Sequence, residues 1–121
     1  MAGIPTLMLA LALAFGPISA RAEVSGGVTL AEFAAAKGEL RSAYLFWLSG
    51  VEAGIQVANV RLKLAGQALL YCQPNKLGLT TDQVEDIMNR YVRAHPTVAT
   101  PDLPVSLAMV FALQEAFPCE V

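Results

Sequence analysis

The fold of this chain is decided by residues 80–96, TTDQVEDIMNRYVRAHP, which spell out a helix together with its start and its stop. Thr80 and Gln83 form a capping box, in which each side chain bonds the backbone N–H of the other residue. Apolar residues follow at helical spacing, and the opposite face is charged. His95-Pro96 ends the helix, because the residue before a proline avoids the helical region. The stretch therefore predicts an amphipathic helix packed against other helices.

A longer helical stretch precedes this one. Thr29 with Glu32 forms another capping box, so we expect a helix to start near Leu30. Its apolar residues recur at helical steps and give one apolar stripe, made of Phe33, Leu40, Tyr44, Trp47, Val51 and Ile55. Residues 60–71 are less regular, and they predict a frayed helix end followed by a linker.

A strip of small residues runs along the same helix, with Gly50, Gly54 and Ala58 four residues apart. Each glycine costs about 1 kcal/mol relative to alanine inside a helix. The expected compensation is another backbone packed against the strip, either within the domain or across a dimer. Of these two we expect packing within the domain.

A last helix is predicted before the C-terminus. Thr100 is expected to cap it and Pro101 to occupy its first turn, and Pro118 ends it. Its buried face is expected to consist of Leu103, Leu107, Val110, Phe111 and Phe117. No stretch shows convincing paired strands, so the predicted fold is all-α, a small single-domain bundle of three to four helices.

The N-terminal residues 1–22 have the pattern of a signal peptide. An apolar run extends from Ile4 to Phe15, Gly16-Pro17 breaks it, and Ala20-Arg21-Ala22 gives the small-x-small motif of a cleavage site. The mature domain, residues 23–121, would then be exported and have no membrane segment.

The chain has two cysteines, Cys72 and Cys119. In an exported chain they are predicted to form one disulfide that ties the middle of the domain to its end. A domain of about 100 residues buries only about two-thirds of its unfolded surface, so a cross-link is a natural supplement to its core.

The sequence predicts no catalytic residue, no metal ligand set and no cofactor. Its one histidine, His95, lies at a helix end, and the disulfide leaves Cys72 no thiol with which to pair with it. One helix face carries four oxygen-bearing side chains that we read as a solvated helix start and not as a cation site: Asp82, Glu85, Asp86 and Asn89. A net charge of −2 without a basic cluster disfavours nucleic-acid binding. Protein binding remains the expected role.

An ordered set of motifs carries a family resemblance. The motifs are Trp47–Val51, Tyr71–Pro74, Thr80–Val84 leading to Arg90–Pro96, Ala112-Leu113, and Ala116–Cys119. Together they resemble the Rap/Tai family, small exported immunity proteins paired with type VI secretion amidase effectors. The resemblance covers about residues 40–119, most of the mature domain.

The resemblance implies a periplasmic helical protein, often a homodimer, that binds a peptidoglycan amidase and covers its active-site cleft. Such a protein has no catalysis of its own. Many relatives carry a further cysteine pair, and here Tyr44 stands at about one of those positions. Only the Cys72 to Cys119 bridge is therefore carried over to this chain.

Two loops are candidate contacts with such an amidase, because occlusion requires a protruding segment held by rigid helices. The first is residues 73–81, anchored by Cys72 at one end and by a helix cap at the other. Its predicted contact residues are Gln73, Asn75, Lys76, Gly78 and Thr80. The second is Thr97–Pro104, stiffened by its prolines. For both loops the alternative is an ordinary connection between helices.

A different function class competes with the immunity reading. A periplasmic acid-stress chaperone is a small helical protein that exposes apolar surface when its carboxylates are protonated. Ten acidic residues in a chain that is 55% hydrophobic suit that role. A carrier of lipid or another hydrophobic ligand would need an internal cavity.

Overall fold

A computed structural model describes residues 27–74 and 77–120 of the protein as a bundle of helices. The helices are α1 (Leu30–Ala35), α2 (Gly38–Leu64), α3 (Thr81–Ala94) and α4 (Val105–Ala116). The described ranges contain no strand, and an isolated bridge pairs Thr29 with Pro104. The predicted all-α fold of three to four helices is confirmed. The predicted leader, residues 1–22, lies outside the described part of the chain.

The core lies where α2, α3 and α4 meet. Apolar residues one helical turn apart face inward, as with Val84 and Met88 on α3 and Met109 and Leu113 on α4. The largest fully buried side chains are Tyr71, Leu48, Met88, Met109, Leu113, Val84 and Val105. Burying a side chain of this size stabilises the fold by about 1.5–3 kcal/mol.

The first predicted helix is divided into α1 and α2. Thr29 caps α1 through a bond from the Glu32 amide to its hydroxyl, but the return bond of the predicted capping box, from the Thr29 amide to the Glu32 side chain, is not formed. Ala36 and Lys37 are extended, and Gly38 begins α2 with a φ of +61°, a conformation that favours glycine. The division turns the chain, so the continuous stripe predicted from Phe33 to Ile55 is wrong at Leu40, which is 52% exposed.

Backbone hydrogen bonds explain why α1 leaves the line of α2. The Leu30 amide donates to the Leu103 carbonyl at 2.9 Å, and the Ala31 amide donates to the Pro101 carbonyl at 3.0 Å. The Val105 amide donates to the Val28 carbonyl at 2.8 Å. These bonds attach α1 to the loop before α4, and a single straight helix would break them.

The structure confirms the predicted boundaries of α3. Both bonds of the capping box are formed, from the Gln83 amide to the Thr80 hydroxyl at 3.2 Å and from the Thr80 amide to the Gln83 side chain at 2.9 Å. His95 is the C-cap, and its amide donates to the Tyr91 carbonyl. Arg41 of α2 bonds both carboxylate oxygens of Glu85, at 3.0 and 2.9 Å, and so joins α3 to the start of α2.

The predicted start of the last helix at Thr100-Pro101 is wrong, because α4 begins at Val105 with Pro104 as N-cap. Leu103 precedes a proline and is therefore disfavoured from the helical region, which delays the helix. The Thr100 hydroxyl donates to the Asp102 carboxylate at 2.7 Å and does not cap α4. Leu107, predicted to be buried, is 42% exposed.

The predicted packing of a backbone against the glycine strip within the domain is also wrong. Gly50, Gly54 and Ala58 are exposed, and a Cβ atom built on either glycine meets nothing within 4 Å. The strip lies on the side of α2 opposite the core. Among the described residues, no packing contact offsets the loss of helix stability that the two glycines cause.

The predicted disulfide is present between Cys72 and Cys119, which lie 47 residues apart in sequence. Their Cα atoms are 4.9 Å apart, within the usual range for a disulfide. The bridge joins the segment after α2 to the chain just beyond α4. It thereby cross-links two parts of the fold that no helix connects directly.

We expect that replacing both cysteines, Cys72→Ser with Cys119→Ser, lowers the free energy of unfolding by about 4 kcal/mol, the chain-entropy value for a loop of this size. Urea denaturation of the double variant and of the reduced native protein measures the loss. The matched control is Ser106→Ala, a partly exposed substitution outside the bridge. A double variant as stable as this control would contradict the assigned role of the bridge.

Candidate binding loop

The described residues between α2 and α3, 65–74 and 77–80, are irregular, and Asn59 of α2 holds the chain at Leu70 and Tyr71. The Asn59 side-chain amide donates to the Tyr71 carbonyl at 2.8 Å, and its oxygen accepts from the Leu70 amide at 2.7 Å. The Asn59 side chain thus satisfies one backbone donor, at Leu70, and one backbone acceptor, at Tyr71. This bidentate contact fixes where the segment turns away from α2.

The end of α4 provides the second attachment. The Cys72 amide donates to the Phe117 carbonyl at 2.8 Å, next to the Cys72–Cys119 bridge. Tyr71 is buried beside this contact. A covalent bond, a hydrogen bond and a buried aromatic ring therefore hold the chain where the candidate loop begins.

The loop itself, which we define as residues 73–80, has hydrogen bonds between its described residues. The Leu77 amide donates to the Pro74 carbonyl at 3.0 Å, and the Gln73 side-chain amide donates to the Leu77 carbonyl. The Gln73 side-chain oxygen is buried without a hydrogen-bond partner among the described residues. The Gln73 side chain therefore links the start of the loop to Leu77.

The far end of the loop is the start of α3. Thr80 is occupied by the capping box, and the hydroxyls of Thr81 and Ser49 lie 2.8 Å apart, which links this end to α2. The loop is therefore fixed at both ends by rigid elements. A loop of this kind presents its tip to a partner with little loss of conformational entropy on binding.

The structure brings the predicted contact residues Gln73, Gly78 and Thr80 together on this loop. The side chains of Gln73 and Thr80 form internal hydrogen bonds, so they support the loop more than they extend from it. Asn75 and Lys76 lie outside the described residues. The exposed part of the described tip consists of Pro74, Leu77 and Gly78.

A cleft of about 340 Å³ opens between the loop and the C-terminal half of α2. From α2 it is lined by Gln56, Asn59, Val60 and Lys63, and the loop side includes Gln73, Pro74 and Leu77. Its wall mixes amides, one cation and apolar groups. Sequence reasoning did not find it, because it depends on how the irregular segment folds back over α2.

A buried carboxyl group, Glu52, was also missed by sequence reasoning. It faces inward on α2, only 7% exposed, and accepts a hydrogen bond from the Gln56 side chain. Burial raises the pKa of the Glu52 carboxyl above its ordinary value, although the bond from Gln56 opposes this. Burial, with the negative charge of Glu52, raises the pKa of Tyr71 to about 12. Tyr71 therefore stays protonated at neutral pH.

The second candidate loop, Thr97–Pro104, has an internal role over part of its length. Pro101 and Leu103 accept the backbone bonds from α1, and Leu103 packs against the core. The Thr100 hydroxyl holds the pKa of the exposed Asp102 carboxyl below its usual value. Thr97, Val98 and Asp102 are exposed and make no backbone bond to α1, whereas the rest of the loop connects α3, α1 and α4.

His95 cannot pair with a thiol of Cys72 or Cys119, because both cysteines are oxidised in the disulfide. Its ring lies against that of Tyr91, with centroids 4.4 Å apart and the planes tilted by 31°, and its Nε2 contacts the Glu115 carboxylate. Tyr91 and Glu115 also line a second cleft between α3 and α4, of about 440 Å³. The contacts attach the end of α3 to α4.

The described residues contain neither a candidate metal site nor a candidate membrane span. On the acidic face of α3, Glu85 is bonded by Arg41 and Asp86 by Arg90. Across residues 27–74 and 77–120, no three His, Cys, Asp or Glu side chains are grouped in a way that could hold a metal ion. None of the helices in those ranges combines the length and apolar character needed to cross a membrane.

Comparison with known protein families identifies the family to which this helical domain belongs. The model for the Rap1a immunity proteins matches residues 28–119. The chain belongs to the Rap1a immunity protein family. The match includes all four helices and the disulfide, and membership in an immunity family implies that the chain binds a cognate effector protein. No curated protein and no solved structure matches the chain.

For this Rap1a family member we expect Glu52→Gln to raise the melting temperature at pH 7. A carboxyl whose pKa is raised by folding is destabilising in its charged form, so the cost is absent below its unfolded pKa and grows as pH rises through the folded pKa. Thermal unfolding of both proteins between pH 4 and pH 8 measures this dependence. A stability difference that does not widen with pH would contradict a buried charge at this position.

Proposed function

We propose that this chain is the immunity partner of a type VI secretion effector that hydrolyses amide bonds of peptidoglycan. In this proposal it is exported to the periplasm, binds the amidase there and covers the active-site cleft. The family match over residues 28–119 carries the proposal, because immunity proteins act on effector proteins. The amidase class rests on the ordered motifs of the sequence, from Trp47 to Cys119.

Inhibition by occlusion places few chemical demands on the immunity protein. An amidase that uses a cysteine nucleophile and a histidine base needs its substrate within hydrogen-bond reach of both groups. A loop that fills the cleft excludes the substrate without supplying any catalytic group. The absence of a nucleophile paired with a base among the described residues is compatible with that mode of action.

The 73–80 loop is the segment we propose to enter the cleft of the amidase. Its two ends are fixed by the Cys72–Cys119 bridge and by the capping box of α3. Its tip carries an exposed proline and leucine, which suit a narrow and partly apolar cleft. Surrounding surfaces must supply the rest of an interface of about 1,200–2,000 Å² in total.

The first experiment on this proposal tests whether the protein is exported. Expressed from its full reading frame, the protein is expected in the periplasmic fraction with Glu23 as its N-terminal residue, because Ala20-Arg21-Ala22 has the small-x-small pattern of a cleavage site. Mass spectrometry of the fractionated protein gives the terminus. Recovery from the cytoplasm with Met1 intact would contradict the assignment.

The binding role is tested with the protein encoded by the neighbouring reading frame, if that frame encodes a cysteine-histidine amidase. Co-expression in the periplasm is expected to restore growth, and titration calorimetry of the purified pair to give a nanomolar dissociation constant. Leu77→Asp, and Asn75→Ala with Lys76→Ala, should each weaken binding by at least about tenfold without lowering the melting temperature. Such a result separates contact residues from residues needed for folding.

Gln114→Ala is the matched control, since Gln114 is an exposed residue of α4 remote in sequence from the loop. It should bind like the native chain. Loop variants that bind normally would move the contact elsewhere on the surface. Absence of both rescue and binding, together with suppression of aggregation of many unrelated proteins at low pH, would replace the immunity role with that of an acid-stress chaperone.

A further inference from the structure

The cleft between the 73–80 loop and α2 has one charged side chain on its described wall. From α2 it is lined by Gln56, Asn59, Val60 and Lys63, which lie three, four and seven residues after the first of them and so share one side of the helix. Lys63 is exposed and forms no ion pair with another described residue. An unpaired cation therefore lies at the end of the cleft nearest the C-terminus of α2.

The amide side chains on the α2 wall of the cleft already have partners. Gln56 donates to the Glu52 carboxylate, and Asn59 bonds the backbone of the segment that passes it. Apolar side chains make up most of the remaining wall: Val60, Leu69, Tyr71, Pro74 and Leu77. A ligand of this cleft therefore gains mainly from the charge of Lys63 and from apolar contact.

The length of the cleft fits a short extended segment of chain. Gln56 and Lys63 are seven residues apart, which is about 10 Å along the helix axis. An extended chain rises about 3.3 Å per residue, so about three residues span that distance. A segment that carries an acidic residue beside an apolar one matches both the cation and the apolar wall.

We propose that this cleft receives an extended acidic segment of the effector, with a carboxylate bound by Lys63 and an apolar neighbour packed against Val60. The inference rests on the proposed function and adds to it the chemistry of a second contact. The effector is the occupant because the 73–80 loop forms one wall of the cleft. A protein that takes this loop into its own active-site cleft also covers the opening beside the loop. Lys63 thereby selects an effector with an acid at that position.

The position of Lys63, and not its charge alone, carries the proposal. Arg61 and Lys63 both lie in the last turn of α2, where a cation also complements the helix dipole. Arg61 is exposed and without an ion pair to a described residue, as Lys63 is, but it does not line the cleft. The buried carboxyl of Glu52 lies eleven residues before Lys63, about 16 Å along the axis. It therefore leaves Lys63 available to an acid of the effector.

Charge reversal at Lys63 tests the proposal against a matched control two residues away. In titration calorimetry with the amidase, Lys63→Glu should weaken binding at least about tenfold, and Lys63→Arg should keep most of the affinity. Arg61→Glu makes the same change of charge in the same helical turn and should bind like the native chain. Equal losses from Lys63→Glu and Arg61→Glu would overturn the assignment, since they would reflect only the overall charge of the protein.

Charge reversal in the effector identifies the acid. Each exposed Asp and Glu of the amidase is changed in turn to Lys, and each variant is titrated with the Lys63→Glu chain. One of these variants should bind the Lys63→Glu chain about tenfold more tightly than the unchanged amidase does, because the opposite-charge pair is restored. If no acid of the amidase recovers binding in this way, the proposed contact is wrong.

A bulky residue at Val60 tests whether the cleft itself is occupied. Val60 is 56% exposed, so Val60→Trp should leave the melting temperature unchanged while its ring takes up space in the cleft. Binding to the amidase should fall at least about tenfold. Gln114→Trp places the same ring on the exposed side of α4 and should bind normally. A Val60→Trp chain that binds like the native one would contradict occupation of the cleft.

The native chain separates this inference from the proposed function. Absence of binding between the native chain and the amidase would end the proposed function, and this inference with it. Nanomolar binding of the native chain, with equal binding by Lys63→Glu, would overturn the inference alone. Helical circular dichroism and the melting temperature of each variant should match the native values, because Lys63 and Val60 are exposed.

Discussion

The cross-link between Cys72 and Cys119 is the constraint on which the arrangement of this small domain depends. Residues 65–74 and 77–80, the described part of the connection between α2 and α3, form no helix, and irregular connections of about this length are uncommon in compact domains. Their backbone groups need partners from outside the segment. The bridge brings the chain end beyond α4 alongside, where the Phe117 carbonyl accepts from the Cys72 amide, and Asn59 supplies the other contacts. Contacts with α2 and with the chain just beyond α4 therefore determine where the loop begins. Both helices are fixed by the shared core.

Helix α2 is the element that relates the core to the surfaces that face other proteins. Its inner face buries Leu48 in the core and also Glu52, whose raised pKa records the cost of burying a carboxylate. The bond from Gln56 offsets only part of that cost. The opposite face is apolar although it is exposed. A helix that is apolar on two opposite sides is typical of an element enclosed between two packing partners, and within the described domain only one side has such a partner.

The local signals of the sequence predicted part of this fold correctly. The Thr80 capping box and the His95-Pro96 stop set both ends of α3, because caps and prolines act on the backbone within a few residues. Two cysteines in a chain with an exported pattern left a single pairing. These features need no knowledge of the rest of the molecule.

Tertiary contacts decided the features that sequence reasoning missed or placed wrongly. The break at Gly38 follows from hydrogen bonds between α1 and the loop before α4, which join residues far apart in sequence. The same bonds, with Pro104, delay the start of α4. Asn59 and Glu52 have no local signature, since an asparagine and a glutamate in a helix are usually solvated. The glycine strip was recognised as a packing surface, but helical periodicity alone does not say on which side of the strip the rest of the domain lies.

Val60 connects the exposed side of α2 with the candidate loop. It is exposed on α2 and also lines the cleft beside the 73–80 loop. An effector whose cleft receives the loop would also reach the C-terminal half of α2, because the footprint of a stable complex extends well beyond a single loop. Residues of α2 that border the cleft are therefore expected to contribute to capture of the effector together with the loop.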